Sequence, residues 1–247
     1  MIKTKIRNYS PEIVISIYRK LKIYFWNIDY SRKTTREVFS KIYKKRRWGV
    51  ADKYTSGSGS RNENIINPYI DVVTEYIKKY QGNYLTIVDL GCGDFNIGKN
   101  FVNYCDQYIA IDIVPELIEH LKEKYNYPNV EFKCLDIIDD ILPNGNICII
   151  RQVFQHLSNS EILKILPKLK EYDVIIITES QPKYLENTIP NMDIIHGSGT
   201  RLLKNSGVFL DKPPFNLKRQ FKLILEIPGD GTGNNEKYGM IRTYLVK

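Results

Sequence analysis

Apolar runs and amphipathic stretches alternate along most of this chain, and their rhythm is the strongest signal in it. Short apolar runs with polar ends read as buried strands at 84–89, 107–112, 130–135, 146–151 and 173–179. Between them, apolar positions spaced three and four apart predict helices at 96–104, 115–125 and 159–171, with another near 68–80 ahead of the first strand. Two late strands are expected near 219–227 and 239–246, joined by PGDGTGNNEK, a loop signal. Residues 181–217 show no clear period. Alternating β and α segments make an α/β fold, a doubly wound, mostly parallel seven-stranded sheet with helices on both faces.

Before this domain the pattern changes. Ser10-Pro11-Glu12 is a helix start, with a cap, a proline at the first turn and an early acid. Ile13, Ile17, Leu21 and Tyr24 then share one face, interleaved with Arg19, Lys20 and Lys22. A second helix is expected from Thr34 or Thr35 to Lys45. YTSGSGSR (54–61) can be neither helix nor packed strand; it reads as a linker, or as a loop closing over a ligand pocket. The expected division is 1–62, a basic helical extension with a Gly/Ser lid loop, and 63–247, the main domain, with 181–217 as an insert on its acceptor side.

Charge sharpens that division. Residues 1–48 carry 14 Lys/Arg against three acids, while the whole chain is only +8. A basic amphipathic helix suits an anionic membrane surface or a nucleic-acid phosphate track, and it equally suits packing on its own domain. No uncharged run is long enough to span a membrane. Cys92, Cys105, Cys134 and Cys148 form no CxxC pair, and three fall in or beside expected core strands. They suggest reduced thiols of a cytoplasmic protein, with no metal site.

The candidate chemistry sits at 84–98, YLTIVDLGCGDFNIG. The first strand ends in Asp89, and Gly91 and Gly93 follow at GxG spacing. Glycines there let a ligand approach the backbone, and a following helix N-terminus would add free N–H groups. The dinucleotide fingerprint needs a third glycine where Asn96 stands, and an acid before the glycines repels a pyrophosphate but suits a cationic ligand. Val88-Asp89-Leu90-Gly91-Cys92-Gly93 resembles the first motif of the class I S-adenosylmethionine-dependent methyltransferases. The likeness covers roughly residues 65–247, and it departs at Phe95, where the family often has a further glycine. It implies S-adenosylmethionine as cofactor. The implied binding residues are Asp89, Gly91, Cys92 and Gly93 in the turn, Asp112 and Ile113 after the second strand, Asp136 and Ile137 after the third, and Arg151 and Gln152 at the end of the fourth. Asp112 lies about 20 residues beyond the glycines, where an acid can hold both ribose hydroxyls.

Acceptor chemistry is expected at the carboxyl edge of the sheet. His156 is the candidate base by position and intrinsic pKa, with Glu179 and His196 as alternatives. Tyr54, Ser58, Arg61, Gln155 and Arg201 are candidate acceptor contacts, Arg201 as a bidentate grip on an anion. Trp48-Gly49, SGSGS (56–60) and SGVFLDKPPFN (206–216) weakly resemble bacterial methyltransferases of surface-polysaccharide pathways. The expected function is methyl transfer to an oxygen of a small molecule or saccharide. An RNA or protein acceptor held by the basic segment is the alternative.

Overall fold

Seven strands form one sheet in the order β3-β2-β1-β4-β5-β7-β6. They are β1 (Thr86–Leu90), β2 (Gln107–Asp112), β3 (Val130–Cys134), β4 (Ile147–Arg151), β5 (Val174–Gln181), β6 (Phe221–Pro228) and β7 (Met240–Val246). This is a computed structural model, describing residues 30–49 and 53–247. The helix expected at 11–25 lies outside the described residues. β1 to β5 run parallel, and β7 returns antiparallel between β5 and β6. The carboxyl ends of β1–β5 and of β6 therefore share one edge. β1, β4 and β5 are buried almost throughout because both faces are covered. Ile87, Leu90, Ile111, Ile147, Ile150, Ile175 and Ile176 form the centre of the core.

Four α-helices are present among the described residues: α1 (Thr35–Lys44), α2 (Glu63–Lys78), α3 (Pro115–Lys124) and α4 (Asn159–Ile165). A capping box of Thr34 and Glu37 starts α1, and another of Ser158 and Glu161 starts α4. α2 begins five residues before the expected start, because Asn62 caps it and Ile65 is buried. No described helix is long and apolar enough to cross a membrane, and all four cysteines are free.

Two expected helices differ. Residues 96–104 form two 3₁₀ turns, Gly98–Asn100 and Val102–Tyr104. The Asn100 amide donates to the carbonyls of Asn96 (3.0 Å) and Ile97 (2.9 Å), competing with a helical ladder. The glycine turn therefore lacks the α-helix N-terminus that the sequence suggests. The helix expected at 159–171 is α only to Ile165, and 3₁₀ over Leu166–Glu171, where Pro167 supplies no N–H.

Phe95 is the departure from the third glycine. Its φ is +58°, a region that bulky residues avoid. Its fully buried ring packs edge-on against Tyr108, Tyr125 and Phe132, with centroids 4.9–5.6 Å away. Aromatic burial thus offsets the backbone strain.

Candidate active site at the carboxyl edge

The β1 turn opens a cleft of about 490 Å³ at the carboxyl edge of the sheet. Gly91 has φ +79°, and its N–H and that of Cys92 both donate to the Ile111 carbonyl at 2.8 Å. A Cβ on Gly91 would lie 2.5 Å from Val153, and one on Gly93 (φ +56°) 2.3 Å from Ser56 Oγ. The turn is therefore tight on both sides without side chains. All ten residues expected at a cofactor line this cleft: Asp89, Gly91, Cys92, Gly93, Asp112, Ile113, Asp136, Ile137, Arg151 and Gln152.

The carboxylates are held rather than loose. Asp89 accepts from Tyr108 OH at 2.9 Å, and burial pushes its carboxyl up to about 7. Asp112 accepts from the Gly93 N–H at 3.2 Å and the Val114 N–H at 3.1 Å. Burial pushes it up to about 6 against those two bonds. Both acids carry a desolvation cost that a cationic or hydrogen-donating ligand would relieve. Arg151 lies over the Tyr69 ring at 4.8 Å and donates to the Gly59 carbonyl at 2.6 Å. Its Nε is buried without a partner.

The Gly/Ser loop closes on the glycine turn. Ser56 Oγ accepts from the Asp94 N–H at 2.7 Å, and the Ser56 N–H donates back to the Asp94 carboxylate at 3.2 Å. Asn96 donates to the Ser60 carbonyl at 2.6 Å. α1 supplies Thr35, Phe39 and Tyr43 to the same wall, with Trp48 just beyond it. Asp94 and Ser56 were missed in the sequence, although an acid directly after GxG was visible.

The expected acceptor residues are placed differently. Arg61 is spent on the loop, with its guanidinium 3.4 Å from the Asp94 carboxylate. Tyr54 packs edge-on against Tyr43 and at a tilt against His120, and does not line the cleft. The Ser58 side chain lies outside the described set. Gln155 lines the cleft, but its amide is fixed structurally: Oε1 accepts the Ser180 N–H, and Nε2 donates to His156. Arg201 is buried away from the cleft, donating to the carbonyls of Met192, Phe154 and Leu157 and to the Asn159 side chain. It anchors the insert, so it has no free fork for a ligand. From that insert the cleft wall receives Ser198, Thr200, Leu202 and Leu203. The 206–216 segment lies elsewhere; Val208 to Lys212 line a second cavity of about 280 Å³.

Of the three candidate bases, only His156 reaches the cleft. Its Nδ1–H donates to the Gly199 carbonyl at 3.1 Å, and its Nε2 accepts from the Gln155 amide at 3.3 Å. Burial pulls it down to about 4, so it is a neutral imidazole with its lone pair occupied. Glu179 faces the other cavity, where it accepts the N–H groups of Phe154 and Gln155, both at 2.9 Å. His196 Nδ1 lies 2.7 Å from Glu161, which also accepts Thr35 Oγ1 at 3.2 Å. That cluster ties α1 to α4 and the insert.

The His196–Glu161 pair predicts a pH dependence. The carboxylate bond raises His196, and hydrogen bonds from His196 and Ser158 lower Glu161 against its burial. A raised histidine stabilises fully below its unfolded value and loses this as pH rises through the folded one. A lowered glutamate stabilises above its unfolded value and loses this as pH falls. The pair is thus worth most between about pH 4.5 and 6.5. His196→Ala should melt lower than wild type in that window, with the gap shrinking as pH rises through the histidine's raised folded value. A gap independent of pH in thermal melts would remove the ion pair as its cause.

Comparison with known proteins finds partial likenesses. Residues 87–174 match the family described as "Methyltransferase domain". A stretch of 55 residues is 46% identical to malonyl-[acyl-carrier protein] O-methyltransferase of Acetivibrio thermocellus, covering 22% of this chain and 19% of that protein. Another, of 89 residues, is 28% identical to ribosomal RNA small subunit methyltransferase A of Mycoplasma capricolum, covering 36% and 31%. The chain thus spans between a fifth and a third of the length of these curated relatives. Among solved structures, N-methyltransferase NodS from Bradyrhizobium japonicum, bound to S-adenosylhomocysteine, superposes with a TM-score of 0.56 at 9% identity, over 85% of this chain and 98% of that one. The plantazolicin methyltransferase BpumL, also with S-adenosylhomocysteine, gives 0.53 at 14%, over 86% and 95%.

Proposed function

We propose that the protein is a class I S-adenosylmethionine-dependent methyltransferase, a reading supported by the family match over residues 87–174 and by the fold, and that it moves a methyl group from that cofactor to an oxygen of a small molecule or saccharide. The observation that carries this reading is the cleft itself, where Asp89, the two glycines and Asp112 meet beneath the Ser56 loop. S-adenosylmethionine supplies an electrophilic methyl group on a sulfonium. Asp89 would face the cofactor's cationic end, Asp112 the ribose hydroxyls and Asp136 with Ile137 the adenine. The partnerless Arg151 Nε suits the cofactor's carboxylate. Methyl displacement needs alignment and exclusion of water more than proton transfer. The Ser56 loop, Trp48 and α1 provide the cover for that.

A surface-polysaccharide acceptor and a cytoplasmic location complete the proposal; the free cysteines fit a reducing compartment. An RNA acceptor is the second reading, favoured by the partial match to a ribosomal RNA methyltransferase and the basic segment 1–48. That segment is also the candidate contact for an anionic membrane surface. Calorimetry separates the cofactor reading from its rivals: S-adenosylmethionine and S-adenosylhomocysteine should bind with Kd of about 1–100 µM and NAD should not. Binding of NAD in preference to both would overturn it. Steeply salt-dependent RNA binding would move the acceptor to the second reading.

A further inference from the structure

The charges lining the cleft are divided between its two halves. The four carboxylates, Asp89, Asp94, Asp112 and Asp136, all stand on or after β1, β2 and β3. The other half is built from Gln152, Ser180, Leu202, Leu203, Lys237 and Tyr238, and no described lining residue there is an acid. Lys237 and Tyr238 reach it because β6 runs parallel to β5, so the 229–239 connection falls on the same edge. Contacts fix that connection in place. Gly239 backs onto the Gln181 carbonyl and Leu202, and Asn62, beside the Gly/Ser loop, donates to the Asp230 carbonyl at 3.2 Å. Lys237 is exposed, and no described residue pairs with its ammonium.

Among the described residues, none of the three candidate bases is available to this half. His156 has both ring nitrogens engaged, Glu179 lies on the far face of the sheet, and His196 is paired with Glu161. An ammonium acceptor would need a group to take its proton before attack, and a sugar hydroxyl benefits from one. An ionised oxygen needs none.

Resting on the methyltransferase reading, we infer that the acceptor is a carboxylate, methylated on oxygen, with its charge steered by Lys237 and its apolar body laid on Leu202, Leu203 and Tyr238. The carboxylate oxygen attacks the methyl carbon in line. The new C–O bond forms as the C–S bond breaks, and that electron pair stays on sulfur. The products are a methyl ester and neutral S-adenosylhomocysteine, and no proton moves. One exposed lysine suits a single negative charge; a dianionic phosphate calls for more donors than this half offers.

The test uses the full chain loaded with S-adenosylhomocysteine and three probes of one shape: hydrocinnamate, hydrocinnamamide and phenylpropylamine. Calorimetry at low salt should rank the acid at least about fivefold ahead of the amide, with the amine last. Probes of this size bind in the millimolar range, so absence of acid binding up to about 10 mM counts against the inference. Lys237→Gln should erase the acid-over-amide preference and leave S-adenosylhomocysteine affinity unchanged. An amine that binds as well as the acid, or a preference that survives Lys237→Gln, overturns the inference and leaves the methyltransferase reading standing. Failure of S-adenosylhomocysteine to bind wild type at all overturns both.

Discussion

Asp112→Ala is expected to weaken S-adenosylhomocysteine binding by on the order of 100-fold, from the loss of two charge-assisted hydrogen bonds worth about 3 kcal/mol together. Each oxygen of Asp112 already accepts one backbone N–H, from Gly93 or Val114, and keeps a second lone pair for a ribose hydroxyl. The substitution also orphans the Gly93 N–H, so the glycine turn loses an anchor along with the ligand contact. The pH dependence supplies an internal check. Burial raises the folded pKa of Asp112 to about 6 from 3.8. The folded protein therefore holds this proton more tightly than the unfolded chain does, and ionising it costs stability as pH rises through that window. A ligand that needs the carboxylate gains affinity across the same window. Wild-type affinity should climb between about pH 5 and 7, and the alanine variant should climb less. Calorimetric affinity within threefold of wild type would take the ribose role from Asp112.

The acidic edge of this cleft was legible because strand ends are local facts. An apolar run, its length and the acid that follows suffice to put Asp89, Asp112 and Asp136 on one edge once the strands are parallel. The acceptor half was not legible, because its residues owe their places to distant partners. Nothing near Glu179 in sequence announces that it accepts the N–H groups of Phe154 and Gln155, 25 and 24 residues away. Nothing near His196 announces Glu161, 35 residues away, or the Tyr30 ring packed on Gly197. Lys237 sat in a stretch rich in turn residues and read only as a connection. Its place at the cleft follows from the antiparallel return of β7, which the chain order does not specify. The Gly/Ser run was recognisable as a loop, but its docking point, Asp94, was not. The helix after the glycines failed for a local reason, the Asn100 amide that bonds two nearby carbonyls.

Arg201 divides the two ways of reading a lone arginine in an irregular segment. As an anion grip it would matter for the acceptor and little for the fold. Its geometry assigns the opposite. Four hydrogen bonds, at 2.8–3.1 Å, join the insert at Met192 to the segment after β4 and to the start of α4. The side chain is almost wholly enclosed, so its removal leaves three carbonyls and an amide oxygen short of a donor as well as a cavity. Arg201→Ala should lose about 4 kcal/mol of stability, which lowers the melting temperature by about 10 °C for a chain of this size. Arg201→Met keeps most of the volume and loses only the donors, so it should fall between alanine and wild type. Neither variant touches Asp89, Asp112 or the glycine turn, so both should still bind S-adenosylhomocysteine near wild-type strength well below their melting points. The opposite pattern, an unchanged melt with a selective loss of acceptor binding, would return Arg201 to the anion-binding role and leave the insert without its anchor.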